Sequence, residues 1–214
     1  MKSELLKRSI SSLFLMSLIF LSALINDYIF LSILFIVVIF SWIEWIKVIE
    51  KIRFKKIFRI IHIILFLIYL LMTFVVCFNV FVIDKYFFLI ILMICVFSDI
   101  GGYVFGKTFG GKKLTKISPN KTISGALGSI FCCCSVIFFL IYYFINDFSF
   151  SLILIGIITS IFCQLGDIFF SFLKRKSKVK DTGNFLPGHG GVLDRLDGIF
   201  IALPIGFITL ILLY

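Results

Sequence analysis

The sequence predicts an all-α fold: a polytopic integral membrane bundle of about seven transmembrane helices, with a cytoplasmic N-terminus. Three observations predict it. Hydrophobic residues make up 61% of the 214, with 29 Phe mixed into runs of Ile and Leu. Soluble domains are closer to half apolar, and one soluble core of this size does not enclose so much apolar side chain. The apolar residues also fall in blocks near the ~20 residues that a helix needs to cross a bilayer. Finally, 20 of the 21 Lys and Arg residues lie in alternate connections between those blocks.

Seven candidate spans follow in order: Ser9–Ile25, Tyr28–Ile46, Ile60–Ile83, Tyr86–Ile100, Ile123–Ile145, Ser149–Leu173 and Gly198–Tyr214. The first follows Lys7-Arg8, but no small-residue cleavage site closes it and more spans come after, so it reads as a retained helix. The fourth is short and is expected to break at Gly101-Gly102. No repeat period or Pro/Ser-rich linker divides the chain. A single membrane domain over 1–214 is the simplest reading.

Asn26-Asp27, Asp84-Lys85 and Asn146-Asp147 are minimal turns, and only Lys85 is basic on their side. The opposite connections carry the rest of the basic residues. Lys and Arg are retained on the cytoplasmic side, so the N-terminus is expected inside and the C-terminus outside. Much of the net charge of +10 is then topological, and residues 47–59 read as a topogenic segment that touches anionic lipid. Nucleic-acid binding is excluded, since no reading motif accompanies the charge. The six cysteines lie in apolar runs without CxxC or Cys/His spacing, which supports neither disulfides nor zinc. Cys132, Cys133 and Cys134 read as small, polarisable helix residues.

Two of the basic connections combine Gly, Lys, Asp and Ser in a way that topology does not require. In the segment from Gln164 to Asp197, Asp167 lies before the last turns of an apolar span, where a carboxylate marks a function or a buried ion pair. Asp194 and Asp197, spaced i, i+3, share one face of a helix. Three converging carboxylates would suit a hard cation such as Mg²⁺. Between them, Pro187-Gly188-His189-Gly190-Gly191 is a side-chain-poor loop whose amides can approach a phosphate. Lys174, Arg175 and Lys180 supply countercharge; the plainer reading is a tight turn between helices. The second connection holds Asp99, Gly101, Gly102 and Lys107, then Ser118, Lys121 and Thr122. Ser118 and Thr122 can donate hydrogen bonds and Lys121 can pair with phosphate. Alone, this stretch could be a Gly-rich loop ending in a helix cap.

The run Ser171-Phe172-Leu173-Lys174-Arg175, then Lys180-Asp181, then Leu186 to Asp197 (LPGHGGVLDRLD) resembles the signature of phosphatidate cytidylyltransferases. The Asp99–Lys107 and Ser118–Gly125 runs resemble the same family. The resemblance covers about 98–204, a catalytic region with two cytoplasmic motif loops; residues 1–97 form variable N-terminal helices that match only in being hydrophobic. The chain looks shorter than typical bacterial members by one or two N-terminal helices. The resemblance implies that Asp167, Asp194 and Asp197 are metal-binding acids. It also implies that Lys180-Asp181 act with them in catalysis, and that Asp99, Lys107, Ser118, Lys121, Thr122, Lys174, Arg175 and Arg195 bind substrate with Gly188, His189, Gly190 and Gly191. Phe170 stands where many relatives carry an acid, and Asn120 and Ser124 replace a common Lys and Glu.

The implied reaction transfers CMP from CTP to phosphatidic acid, giving CDP-diacylglycerol and pyrophosphate for phospholipid synthesis. Mg²⁺ is the implied cofactor, with a second cation considered. The expected partners are the two substrates, membrane lipids and a second copy of the chain as a homodimer. The expected location is a bacterial cytoplasmic (inner) membrane, with the active site facing the cytoplasm. Two alternatives remain open: a CTP-dependent kinase of a polyprenol or other lipid alcohol, which would need a base for a neutral hydroxyl, and a non-catalytic transporter or scaffold.

Overall fold

The computed structural model describes residues 17–140, 142, 150–183 and 190–213. Among the described residues the chain is helical and has no strand, with an isolated bridge between Lys113 and Thr122. Helix α1 is described over 17–25; α2 (Asp27–Glu50), α3 (Lys56–Ile83), α4 (Lys85–Phe109), α5 (Ile123–Leu140), α6 (Phe150–Lys176) and α7 (Leu193–Leu213) follow. The last six are each long and apolar enough to cross a membrane, and the protein is an integral membrane helical bundle. The expected spans Ser9–Ile25, Ile123–Ile145, Ser149–Leu173 and Gly198–Tyr214 extend in part outside the described residues.

Local signals set the helix ends. Asn26 begins α2 from an extended conformation, its side chain accepting the Tyr28 and Ile29 amides at 2.8 and 3.4 Å. Asp84 does the same for α4 through the Tyr86 amide at 2.7 Å. Such caps satisfy amides that have no partner inside the helix. Helix α6 ends differently. Val179 N–H donates to Lys174 O at 3.0 Å and Lys178 N–H to Arg175 O at 3.1 Å, with Lys178 left-handed at φ 56°. That is a Schellman cap with lysine in the position usually taken by glycine.

The chain divides into two compact units, each built from two stretches. The first comprises Met1–Asn79 and Leu173–Leu196. In it α2 packs on α3 through Trp45, whose ring stacks on Phe66 at 3.9 Å while its Nε1–H donates to His62 O at 3.3 Å. The second comprises Val80–Phe172 and Asp197–Tyr214. In it α4 and α5 meet backbone to backbone. A Cβ on Gly101 would lie 2.6 Å from Gly128 O, and one on Gly125 would lie 2.7 Å from Gly102 O. Ser129 Oγ–H donates to Ser98 O at 2.7 Å across the same seam. Small residues drive close helix packing in lipid, where apolar area alone does not.

That seam corrects the expectation that the fourth span breaks at its glycines. Helix α4 runs through Gly101, Gly102 and Gly106 to Phe109, because a helical partner uses the space that missing side chains leave. The stretch from Asp99 to Lys107 is accordingly helix, not loop. Helix α7 also starts earlier than expected, so Asp194 and Asp197 both lie on it.

Large apolar side chains stand exposed along the spans, among them Met72, Val82, Leu127 and Phe131. Such faces suit a lipid environment, where the backbone groups are satisfied within each helix.

Candidate functional site

In the second unit, the segment after α4 turns back on itself through Gly110 and Gly111, both at positive φ. Leu114 N–H donates to Lys121 O at 2.8 Å and Ile123 N–H to Lys112 O at 3.0 Å, a short ladder that returns the chain to α5. Thr122 Oγ1 accepts the Gly125 amide at 3.1 Å at the start of α5, and Ser124 Oγ–H bonds Gly110 O. This fold-back presents Lys121, whose Nζ pairs with Asp167 Oδ2 on α6 at 2.6 Å. Both ends of the pair are partly open, at 27% and 22% exposure. A carboxylate in an apolar span needs such a partner.

The pair faces a cavity of about 320 Å³, at the lower end of the size range of ligand pockets. Six residues singled out in the sequence meet there: Asp99, Gly102, Ser118, Lys121, Thr122 and Asp167. The cavity adds Tyr103 and Gln164, which sequence reasoning missed. Gln164 bonds Ala126 O at 3.3 Å, and Tyr103 takes Lys107 Nζ–H at its hydroxyl at 3.4 Å. Lys107 itself is exposed on α4 and does not line the cavity. Asp99 Oδ1 accepts from Cys163 Sγ–H at 3.6 Å. On α7, Asp197 Oδ1 accepts the Gly198 amide at 3.0 Å. Gly198 packs so closely that a Cβ there would lie 2.8 Å from Asp167 Oδ1, which sets Asp167 beside the Asp197–Gly198 backbone.

In the first unit, another polar cluster surrounds Asp194. Its Oδ1 accepts Lys174 Nζ–H at 2.9 Å. Its Oδ2 takes Thr182 N–H at 2.7 Å, Thr182 Oγ1–H at 3.0 Å and Gly191 N–H at 3.0 Å. The side chain is 5% exposed, so four donors replace the water it lost. Gly190, at φ 83°, packs beside Asp181. Lys180, Asp181 and Arg175 are exposed, and Arg195 is half-buried. Gly188 and His189 lie outside the described residues. Glu44 on α2 belongs to this cluster and sequence reasoning passed over it. It accepts Val192 N–H at 3.0 Å, Leu193 N–H at 2.8 Å and Thr182 Oγ1–H at 3.0 Å. The signal that identified Asp167, a carboxylate inside an apolar run, applied equally to Glu44.

A cation's fit follows from these donors. Among the described residues no three acidic, imidazole or thiol groups form a metal cage. Mg²⁺ rarely uses one: it binds one or two carboxylates and takes its other ligands from water and substrate phosphates. Asp99 and Asp167, facing one cavity, have the chemistry for that arrangement.

A model of the cytidylyltransferase family matches residues 55–213. The chain belongs to this family. The match reaches well ahead of residue 98, where the motifs begin. Among curated cytidylyltransferases, the chain is 45% identical to a phosphatidate cytidylyltransferase of Staphylococcus aureus (strain COL) over 130 residues, 59% of this chain and 48% of that one. It is 45% identical over 118 residues to the protein of that name from Staphylococcus haemolyticus (strain JCSC1435), covering 53% and 45%. For that of Rickettsia bellii (strain RML369-C), the identity is 41% over 129 residues, 56% of each. The aligned part spans about half the length of the curated relatives it matches.

Proposed function

We propose that this cytidylyltransferase-family protein transfers CMP from CTP to phosphatidic acid, releasing pyrophosphate and leaving CDP-diacylglycerol in the membrane. The observation that carries the reading is the Lys121–Asp167 pair over a cavity shared with Asp99, Ser118 and Thr122. Curated relatives bearing the name phosphatidate cytidylyltransferase support it.

A phosphatidate oxygen attacks the α-phosphorus of CTP, the bond to the β-phosphate oxygen breaks, and pyrophosphate leaves. The nucleophile is already anionic, so no base is required. The protein's task is to align two anions and offset their repulsion. Lys121 offers its ammonium to the triphosphate, and Ser118 and Thr122 offer hydroxyls. Asp167 and Asp99 would hold Mg²⁺, with Asp197 next to Asp167 along α7; the cation supplies charge neutralisation at the transferring phosphoryl group. Asp194 serves the same reaction by fixing Thr182 and Gly191, the neighbours of Asp181 and Gly190, with Lys174 as its counterion. The family resemblance also assigns Lys180, Arg175 and Arg195 to the substrates.

The reading sets the protein in a bacterial inner membrane, N-terminus and active site on the cytoplasmic side, where CTP and Mg²⁺ are found. The 20-to-1 distribution of basic residues supports that orientation. The test is purified protein in lipid with CTP, phosphatidate and Mg²⁺. Lipid product and pyrophosphate are expected in equal amounts; CDP instead of pyrophosphate would make it a kinase.

A further inference from the structure

Glu44 lies ahead of the family-matched residues, and no step of the proposed reaction uses it. Glu44 is 3% exposed, a depth at which a carboxylate needs several donors. Those donors come from both ends of one connection. Thr182 supplies its hydroxyl at 3.0 Å from one end; Val192 and Leu193 supply amides at 3.0 and 2.8 Å from the other. These amides open α7, where no acceptor exists inside the helix and the dipole favours negative charge. Glu44 therefore caps a helix 149 positions further along the chain.

The neighbouring glycines are shaped to it. A Cβ on Gly183 would lie 2.6 Å from Glu44 Oε1, and one on Gly191 would overlap Glu44 Oε2. Gly191 thus makes room for a carboxylate, and its own amide is turned to Asp194. The Thr182 hydroxyl lies 3.0 Å from both Glu44 Oε2 and Asp194 Oδ2. One hydroxyl proton serves two acids, so the place of one carboxylate constrains the other.

We infer that Glu44 is a positioning residue for the start of α7: it holds Thr182 beside Val192 and Leu193 and so sets where Asp194 and its Lys174 counterion stand. The inference takes its kinetic readout from the reaction proposed above; its structural readout is independent of it.

Glu44→Gln keeps the volume but replaces one accepting oxygen with an NH₂ group that faces other donors. In the full-length protein in lipid, amide hydrogen exchange at Val192 and Leu193 is expected to quicken about tenfold, the loss of a charge-assisted bond. Exchange in α4 and α5 stays unchanged. At saturating CTP, kcat falls by a similar factor while KM for CTP stays within about twofold. Thr182→Ser retains wild-type behaviour, and adding Thr182→Val to Glu44→Gln quickens exchange at Val192 and Leu193 no further, because that hydroxyl bonds neither amide. Glu44→Asp, one methylene too short to keep its bonds to Val192 and Leu193, carries the same test should Glu44→Gln fail to insert. Unchanged exchange at Val192 and Leu193 would overturn the inference, as would faster exchange throughout α4 and α5, which would make Glu44 a general fold residue. If the wild-type protein turns over no substrate, the reaction is wrong and the exchange result still decides on Glu44.

Discussion

The two polar clusters use similar residues to opposite ends. Around Asp194 the carboxylate accepts four donors and is almost sealed from solvent. Around Asp167 a partly exposed ion pair borders a cavity. An acid whose lone pairs are consumed by amides organises backbone. An acid that faces open volume with one exchangeable partner is equipped to meet a ligand. Motif membership alone does not separate these roles; the donor count does.

Asp194→Asn is the strongest test of this contrast. Breaking a buried charge pair costs about 3–5 kcal/mol, because Lys174 is left facing an amide. Faster exchange at Thr182 and Gly191 is expected together with loss of turnover. Asp167→Asn should separate the two readouts: turnover falls by about 10²–10³-fold, as for loss of a transition-state charge contact, while exchange in both units stays as in wild type. Near-normal activity of this variant at low Mg²⁺ would remove the cation from Asp167. Lys121→Ala comes next, with kcat/KM for CTP reduced by the equivalent of about 1.5–3 kcal/mol; an unchanged value would reduce Lys121 to a counterion for Asp167. The smallest effect is on the fold alone. Lys178→Gly relieves a left-handed lysine and is expected to raise unfolding stability by about 1 kcal/mol, read as a higher midpoint in thermal unfolding with activity retained.

The helices were legible because lipid imposes length and apolarity directly on sequence. Asp167 stood out as a charge that an apolar run does not tolerate without cause. Glu44 carried the same mark, yet it borders Lys47 and the basic residues read as topogenic, so it merged with them. Its partners lie 138 to 149 positions away, a distance that no local spacing reports. Gly101 and Gly102 misled for another reason. In water, glycine weakens a helix; against a second helix it permits an approach that a side chain forbids, and a single chain gives no sign of which applies. Lys121 was expected to meet phosphate, and its bond to Asp167 became visible only once the fold-back of residues 110–122 was known.

The seam between α4 and α5 has a consequence for genetic suppression. An alanine at Gly102 would strike Ser129 Oγ at 2.8 Å, a side chain that a second substitution can shorten. An alanine at Gly125 would strike the Gly102 carbonyl at 2.7 Å, and no codon change removes a carbonyl. A defect at Gly102 is therefore open to rescue by Ser129→Gly, whereas one at Gly125 has no single-residue suppressor across the seam. Neighbouring glycines, equal in composition, would leave different traces in a revertant screen.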